Sequence, residues 1–252
     1  MKLHLSLNSK VREIALIAIF LFSGGVFAQG EDPNGLVEVE VPQDNLAPYK
    51  ERRDHTGIYF GIVYENFLPD SYVSPQDSLT YNNMFGSETI PLIGINFDYK
   101  WNMSLGSLAF GLGGAIGSIN DARSGSDRTL DVTRYLASIK FTADNLMMEP
   151  YVAPYIGVSA YMIGVKDTAK ASGSTQKVEV SKNTPIGYAY TVGLLLQLDW
   201  LDYTAAKQAT FAFGLENTFI DIFLTQYTKA GGDTDPDMQT DLNWGAGLRM
   251  EF

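Results

Sequence analysis

The closing stretch of the chain, Asp241-Leu-Asn-Trp-Gly-Ala-Gly-Leu-Arg-Met-Glu-Phe252, alternates between two kinds of side chain without a break. The apolar set is Leu242, Trp244, Ala246, Leu248, Met250 and Phe252. The intervening set is Asp241, Asn243, Gly245, Gly247, Arg249 and Glu251. Because successive side chains of a β-strand point to opposite faces, this period of two predicts a strand with one apolar and one polar face.

The same alternation recurs along the chain upstream of this stretch. In the segment before it, for example, Phe211, Phe213 and Leu215 alternate with small or polar residues. Together the segments predict eight strands, an even number, as single-chain bacterial barrels require. The predicted strands cover residues 58–65, 93–101, 108–117, 134–141, 151–162, 186–200, 210–219 and 241–252.

The composition of the two faces indicates which solvent each one meets. The polar face consists mostly of Gly, Ala, Ser and Thr with single charges of both signs, which suits a narrow, filled barrel interior. The apolar face places aromatic residues near strand ends, as in the interface girdles of membrane barrels. These girdle candidates are Tyr64, Tyr99, Trp101, Tyr188, Trp200 and Trp244. The pattern predicts an all-β fold, an eight-stranded antiparallel up-and-down transmembrane β-barrel.

The beginning of the chain has the pattern of an export signal. Basic residues up to Arg12 precede an apolar run that ends near Phe22, and small residues lead to Ala28. We expect a signal peptide over residues 1–28, a mobile periplasmic extension over 29–55 and the barrel over 56–252. The chain contains no cysteine, so no disulfide stabilises it.

The connections between the predicted strands fall into two classes of length. Short ones are predicted near 102–106, 143–149 and 201–208, and long polar ones over 69–88, 120–132, 166–183 and 223–238. Because short turns of outer-membrane barrels face the periplasm, both chain ends are expected there and the long loops outside. The third long loop carries lysines that are suited to anionic sugars or phosphates, although lysines in a loop also simply favour solubility. They are Lys166, Lys170, Lys177 and Lys182.

The last predicted loop contains alternating carboxylates at Asp233, Asp235 and Asp237. A calcium loop needs Gly at its sixth position and Glu at its twelfth, where this chain has Met238 and Trp244. We therefore expect a solvated acidic loop, with loose divalent-ion bridging to lipopolysaccharide phosphates as the alternative. No metal or cofactor site is predicted.

With its alternating strands and its closing Trp244-to-Phe252 segment, the chain over 56–252 resembles the small eight-stranded outer-membrane barrels typified by the membrane domain of OmpA and by OmpX and OmpW. The resemblance implies that the insertion machinery of the outer membrane reads the last strand. It assigns this assembly signal to Trp244, Leu248, Met250 and Phe252. The motif is specific for the class of protein and says nothing about its activity.

Charged residues on the predicted inward face are expected to pair with one another, because an isolated buried charge is costly. The predicted lumen charge network comprises Glu65, Asp98, Lys100, Arg134, Lys140, Asp199, Glu216, Arg249 and Glu251. A proton or ion path through these groups is the functional alternative. Hydrolytic chemistry is not expected, since His55 is the only histidine after residue 28 and it precedes the first strand.

These features predict a non-enzymatic outer-membrane protein that serves envelope integrity and makes surface contacts through its long loops. The expected partners are outer-membrane lipid, lipopolysaccharide, the insertion machinery and surface ligands. Nucleic acid is excluded, because 29 Asp and Glu outnumber 18 Lys and Arg. The alternative is a narrow conduit or pocket for small hydrophobic molecules, as the resemblance to OmpW suggests, lined by Leu136, Leu195 and Ile220.

Overall fold

The computed structural model describes residues 46–121, 128–170, 176–232 and 234–252. The described residues form nine β-strands and three helices. The strands are β1 (Thr56–Phe67), β2 (Ile90–Asn102), β3 (Ser107–Asn120), β4 (Thr129–Thr142), β5 (Val152–Lys170), β6 (Lys177–Asn183), β7 (Gly187–Gln197), β8 (Asn217–Tyr227) and β9 (Asn243–Glu251). The helices are α1 (Tyr49–Arg52), α2 (Tyr81–Phe85) and α3 (Tyr203–Phe213). The predicted signal peptide and the extension up to residue 45 lie outside the described residues.

The strands form a closed antiparallel barrel with eight strand positions around its wall, each of which we call a stave. β1 pairs with β2 on one side and with β9 on the other, and the remaining neighbours follow in chain order. β5 is long enough to pair with β7 over Val152–Tyr161 and with β6 over Gly164–Lys170, so β6 and β7 form one interrupted stave. The predicted all-β, eight-stranded, up-and-down barrel is confirmed.

The two faces of the barrel wall differ in the way the alternation predicts. On β2, Phe97 and Trp101 are 51% and 57% exposed, whereas Asp98 and Lys100 are 1% and 0% exposed. The same contrast continues around the wall. Exposed apolar residues on the other staves include Phe110, Leu112, Tyr135, Ile139, Ile156, Val158, Tyr190, Val192, Ile222 and Leu224. We call this outward surface the apolar belt; large contiguous apolar surfaces of this kind mark sites of contact with membrane or protein.

No helix in the described part of the chain is both long and apolar enough to cross a membrane.

The two ends of the barrel have different structures. At the terminal end, where β1 begins and β9 ends, the connections over 103–106 and 143–151 are short. At the opposite end, which we call the loop end, residues 68–89 and 228–242 form longer connections. Within the expected long loop over 166–183, residues 166–170 and 177–183 instead pair as the ends of β5 and β6, which we call the β5–β6 hairpin, because the ladder continues beyond the belt. β3 ends at Asn120 and β4 begins at Thr129, so both edges of the expected loop over 120–132 are strand, and β8 extends to Tyr227.

One predicted strand is wrong. Residues 203–213, which include Phe211 and Phe213 of the predicted strand over 210–219, form helix α3. The Asp202 side chain caps its first turn by accepting from the Ala205 N–H at 3.0 Å, and Gly214 ends it with φ of 68°. The true strand, β8, starts at Asn217, so the connection predicted as a short turn at 201–208 is a long one that spans 198–216.

The closing residue of the chain completes the seam between β1 and β9. The Phe252 N–H donates to the Ile58 carbonyl at 2.8 Å, and the Ile58 N–H donates to the Phe252 carbonyl at 2.7 Å. The last residue therefore extends the ladder to the rim of the barrel. Its side chain is 42% exposed on the outside.

We predict that deleting Phe252 lowers the yield of folded barrel when the protein is refolded into detergent micelles, because the seam loses this hydrogen-bonded pair. The fraction of heat-modifiable protein on a gel measures the yield. Phe252→Ala is the matched control, since it keeps the backbone pair and should refold better than the deletion. Equal yields for the native and the shortened chain would contradict the prediction.

Candidate functional site in the lumen and at its two ends

Two ion pairs between nearby strands lie in the middle of the lumen. Lys140 Nζ lies 3.0 Å from both carboxylate oxygens of Asp98, and an Arg249 nitrogen lies 2.5 Å from Asp221 Oδ2. The Tyr155 hydroxyl donates to the other Asp221 oxygen at 2.8 Å. All five side chains are buried. The opposite charges and the added hydrogen bond compensate for the loss of water, as buried ions require.

The Arg249 guanidinium also lies between two aromatic rings. Its carbon is 5.4 Å from the Tyr59 ring centre and 5.1 Å from the Tyr155 ring centre. These are cation–π distances. The rings belong to the lower apolar cluster, which fills the lumen towards the terminal end. This cluster consists of Tyr59, Val63, Ala153, Tyr155, Leu195, Phe219 and Phe223.

A second charged group lies towards the loop end. Arg134 pairs with Glu65 and contacts the Tyr227 hydroxyl, which also donates to Glu65 Oε2 at 3.1 Å. The Tyr227 ring packs edge-on against Phe67 with centroids 5.3 Å apart, and against Tyr161 at 5.1 Å. These rings belong to the upper apolar cluster, which closes the lumen below the loops. Its larger members include Phe67, Tyr72, Tyr81, Met84, Phe85, Ile90, Leu92, Leu130, Ile163, Tyr227 and Met238.

A third charged group closes the terminal end. Lys100 pairs with Glu251 and with Asp144, whose carboxylate lies 2.8 Å from Lys100 Nζ. Ser107 donates to Asp144 at 2.8 Å, and Asn217 donates to the second Glu251 oxygen at 3.0 Å. Each acid therefore has both a cation and a neutral donor.

Helix α1 contacts this charged group from the terminal end of the barrel. The Tyr49 side chain is fully buried, and its hydroxyl donates to Glu251 Oε1 at 2.6 Å. Burial, and then the Glu251 carboxylate, raise the pKa of Tyr49 well above its ordinary value, so the phenol stays protonated as a donor. Arg53 lies 3.1 Å from Asp144, and Arg52 pairs with Glu216. The expectation of a mobile extension up to residue 55 is therefore wrong for residues 46–55, since buried contacts hold this segment against the barrel.

The structure places seven of the nine predicted lumen charges together inside the barrel: Glu65, Asp98, Lys100, Arg134, Lys140, Arg249 and Glu251. Asp199 and Glu216 are not among them, because both lie in the connection between β7 and β8 at the terminal end. Asp199 accepts from the Thr218 N–H at 3.0 Å, and burial raises its pKa to about 6. Asp241, also predicted to point inwards, is exposed before β9 begins.

Several lumen groups were missed by the sequence reasoning. Asp221 lies on β8, where Phe219, Asp221, Phe223 and Thr225 point inwards and alternate with exposed apolar residues. This alternation is present in the sequence, but the predicted strand covers the preceding segment, 210–219, in its place. No local sequence pattern marks Asp144 as a lumen residue, because it lies in the turn between β4 and β5.

The residues of the predicted assembly signal lie on the outward face of β9 and at its end. Trp244 is 52% exposed, and its ring centre is 5.8 Å from that of Tyr64 on β1. Leu248 and Met250 are partly exposed and pair in register with Ile62 and Phe60. All four, including Phe252, therefore line the seam that closes the barrel.

An ion cluster connects the loops at the loop end. Arg128, just before β4, lies 2.5 Å from Asp167 of the β5–β6 hairpin and 2.7 Å from Asp77 of the first loop. Ser74 donates to Asp167 at 2.7 Å. Partial burial raises the pKa of Asp77, but the hydrogen bond and the charge of Arg128 hold this pKa below its ordinary value. Three connections are thereby held together by one guanidinium.

Two cavities differ in position and size. Inside the lumen, between Glu65, Arg134, Ser138 and Lys140, the space open to water-sized molecules is about 40 Å³. A cleft of about 350 Å³ lies at the loop end between the first loop, the β5–β6 hairpin and the last loop. Its charged lining is mixed, with Lys182, Lys229, Asp235 and Asp237; Asp233 lies outside the described residues. Among the described residues no group of three or more His, Asp or Glu side chains is arranged to hold a metal ion.

We predict that Asp221→Asn lowers the free energy of unfolding by about 3–5 kcal/mol, because Arg249 and Lys140 then share the single carboxylate of Asp98. Urea unfolding in detergent or lipid, followed by gel mobility, measures the loss. The double variant Asp221→Asn, Arg249→Met is the control, since it removes both charges and should lose much less. Unchanged stability of the single variant would show that the pair contributes nothing.

Comparison with known proteins finds no matching family model and no matching curated sequence. Among solved structures, Ail, the attachment invasion locus protein of Yersinia pestis, is 17% identical with a TM-score of 0.40, covering 78% of this chain and 97% of Ail. The N-terminal β-barrel domain of Pseudomonas aeruginosa OprF is 11% identical with a TM-score of 0.38, covering 79% and 98%. Neisserial surface protein A is 13% identical with a TM-score of 0.39, covering 79% and 98%. The barrel assignment for this chain rests on its own strand pairing.

Proposed function

We propose that this chain is a non-enzymatic integral barrel of the bacterial outer membrane that supports the envelope and makes surface contacts through its loop end. The observation that carries the proposal is the inversion of the two faces, with apolar side chains outside and paired charges inside. A hydrocarbon solvent favours this arrangement, since lipid accepts apolar side chains and closure leaves no strand edge unpaired.

The contents of the lumen favour a sealed barrel over a conduit. Pockets that bind small molecules measure about 300–1,000 Å³, far more than the lumen cavity. Leu195 packs within the lower apolar cluster, and Leu136 packs against the upper one. Ile220, expected inside, is 38% exposed on the outer face, since the strand starts later than predicted. We therefore do not propose transport of small hydrophobic molecules.

In the proposed orientation the terminal end faces the periplasm, because two of its three connections are the short turns 103–106 and 143–151. Residues 1–28 act as the cleaved signal peptide, and residues 29–45 precede the segment that closes the barrel. The insertion machinery reads the outward face of β9, with Trp244, Leu248, Met250 and Phe252 as the assembly signal.

Surface contact is proposed at the loop end, where the 350 Å³ cleft has the size of a small-ligand site. Lipopolysaccharide is the proposed lipid partner. The outward row of β5 runs through Ile156 and Val158 and continues beyond the belt as Lys166 and Lys170, and Lys177 is in register with Lys170. Ammonium groups just above an apolar belt are suited to the phosphates of an outer leaflet.

We predict that the purified protein changes its gel mobility on heating. In planar lipid bilayers we expect it to give no steady conductance. The physical reason is that paired side chains and two apolar clusters fill the lumen. Stable single-channel steps would contradict the sealed barrel. A water-soluble protein without a mobility shift would contradict the membrane assignment itself, and hydrolysis of a phospholipid or lipid A substrate would contradict the non-enzymatic role.

We predict that replacing Lys166, Lys170 and Lys177 together by Gln reduces the amount of lipopolysaccharide that stays bound during purification in mild detergent. The ratio of lipopolysaccharide phosphate to protein measures the retention. Lys50→Gln, at the terminal end, is the control and should leave the ratio unchanged. Equal retention by the triple variant and the native protein would remove the lysines from the proposed contact.

A further inference from the structure

Helix α3 exposes large apolar side chains that no part of the described chain covers. Phe211 and Phe213 are 65% and 78% exposed, and Tyr203 at the other end of the helix is 47% exposed. Local hydrogen bonds define both ends of the helix. Besides its Asp202 cap, the Thr210 hydroxyl donates to the Leu215 carbonyl at 2.8 Å, and the Leu46 N–H donates to the Tyr203 hydroxyl at 3.1 Å.

The exposed face of α3 carries no charge. The sequence of the helix contains one charged residue, Lys207, and its side chain is buried. A solvated surface helix normally shows charged residues on its outer face. The helix exposes Phe, Tyr and Ala together with the uncharged Thr204 and Gln208, and its only cation is inside. This composition is suited to a less polar surrounding than water.

The exposed rings continue the apolar belt at the terminal end. Trp200 and Leu201, which lead from β7 towards α3, are 61% and 63% exposed. On the far side of the helix, β8 begins at Asn217 and soon presents Ile220 and Ile222 to the belt. Both ends of the connection thus emerge from the belt. The other two turns at this end expose further apolar side chains, namely Met103, Leu105, Leu146, Met147 and Met148.

We propose that α3 is an interfacial helix whose Phe211 and Phe213 side chains insert among the phospholipid headgroups at the terminal end of the barrel. Helices of this kind bury an apolar face about 5–10 Å into the boundary between headgroups and acyl chains. Because α3 exposes no cation, its binding depends on apolar burial and not on anionic lipid. The inference rests on the proposed function, since it requires the belt to be in a bilayer.

Depth-dependent fluorescence quenching tests this position in the full chain. Trp101, Trp200 and Trp244 are first replaced by Phe, and one tryptophan is returned as Phe213→Trp, as Leu112→Trp in the belt or as Leu79→Trp at the loop end. Each protein is reconstituted in phosphatidylcholine vesicles brominated near the headgroup or near the chain ends. Leu112 and Leu79 are 67% and 41% exposed, so all three probes replace surface residues.

The proposal expects Phe213→Trp to lose most of its emission with bromine near the headgroup and little with bromine near the chain ends. Leu112→Trp should be quenched by acyl-chain bromine, and Leu79→Trp by neither lipid. Adding anionic lipid should leave the quenching of Phe213→Trp unchanged.

Each contrary result has a distinct meaning. If Leu112→Trp is quenched and Phe213→Trp is not, α3 faces water or another protein; the interfacial helix is wrong while the barrel in lipid stands. Cross-linking between copies at position 213 would then assign the face to a second copy of this chain. Quenching of Phe213→Trp equal to that of Leu112→Trp at every depth would also overturn the interfacial position. If neither probe is quenched, the proposed function fails as well.

Discussion

The structure depends on the pairing of β1 with β9, because this seam turns a sheet with two edges into a barrel with none. In hydrocarbon each unpaired backbone group costs several kcal/mol, so an open edge is not tolerated there. In the register of this seam, Glu65 pairs with Gly245 at one end and Tyr59 pairs with Glu251 at the other. Closure then fixes which face of every strand is inside. All charges on that face must find partners within one narrow lumen.

The glycine-rich inner face makes room for those partners. A side chain at Gly111 would overlap the Asp98 carboxylate, which Lys140 holds from the next strand. In the same way Gly193 lies against the Tyr155 ring. Small residues on one strand therefore accommodate long ones on its neighbour, as expected for an eight-stranded barrel that is just wide enough for its own side chains. The ion pairs and the small residues of the inner face therefore follow from the same constraint, which is the narrow width of the lumen.

The period of two was enough to predict the barrel but not the path of every segment. Phe211, Phe213 and Leu215 alternate over too short a distance to exclude a helix, and the stronger signals there were the Asp202 cap, the alanines and Gly214. Ion pairing is beyond sequence reasoning for another reason. Lys100 pairs with Glu251 from β9 and Asp144 from a turn, and these meet only because of closure and the stagger of the strands.

The two ends of the barrel are closed by different groups of residues, and this difference determines which surfaces stay accessible. At the loop end an apolar cluster lies beneath the Arg128 ion cluster, whereas at the terminal end the Tyr49 side chain enters the lumen and bonds to Glu251. With the middle of the lumen filled by ion pairs, the space left inside for water-sized molecules is only about 40 Å³. The loop-end cleft and the apolar surface around α3 remain accessible. The surfaces open to recognition under the proposed function are therefore the rims and the outer wall.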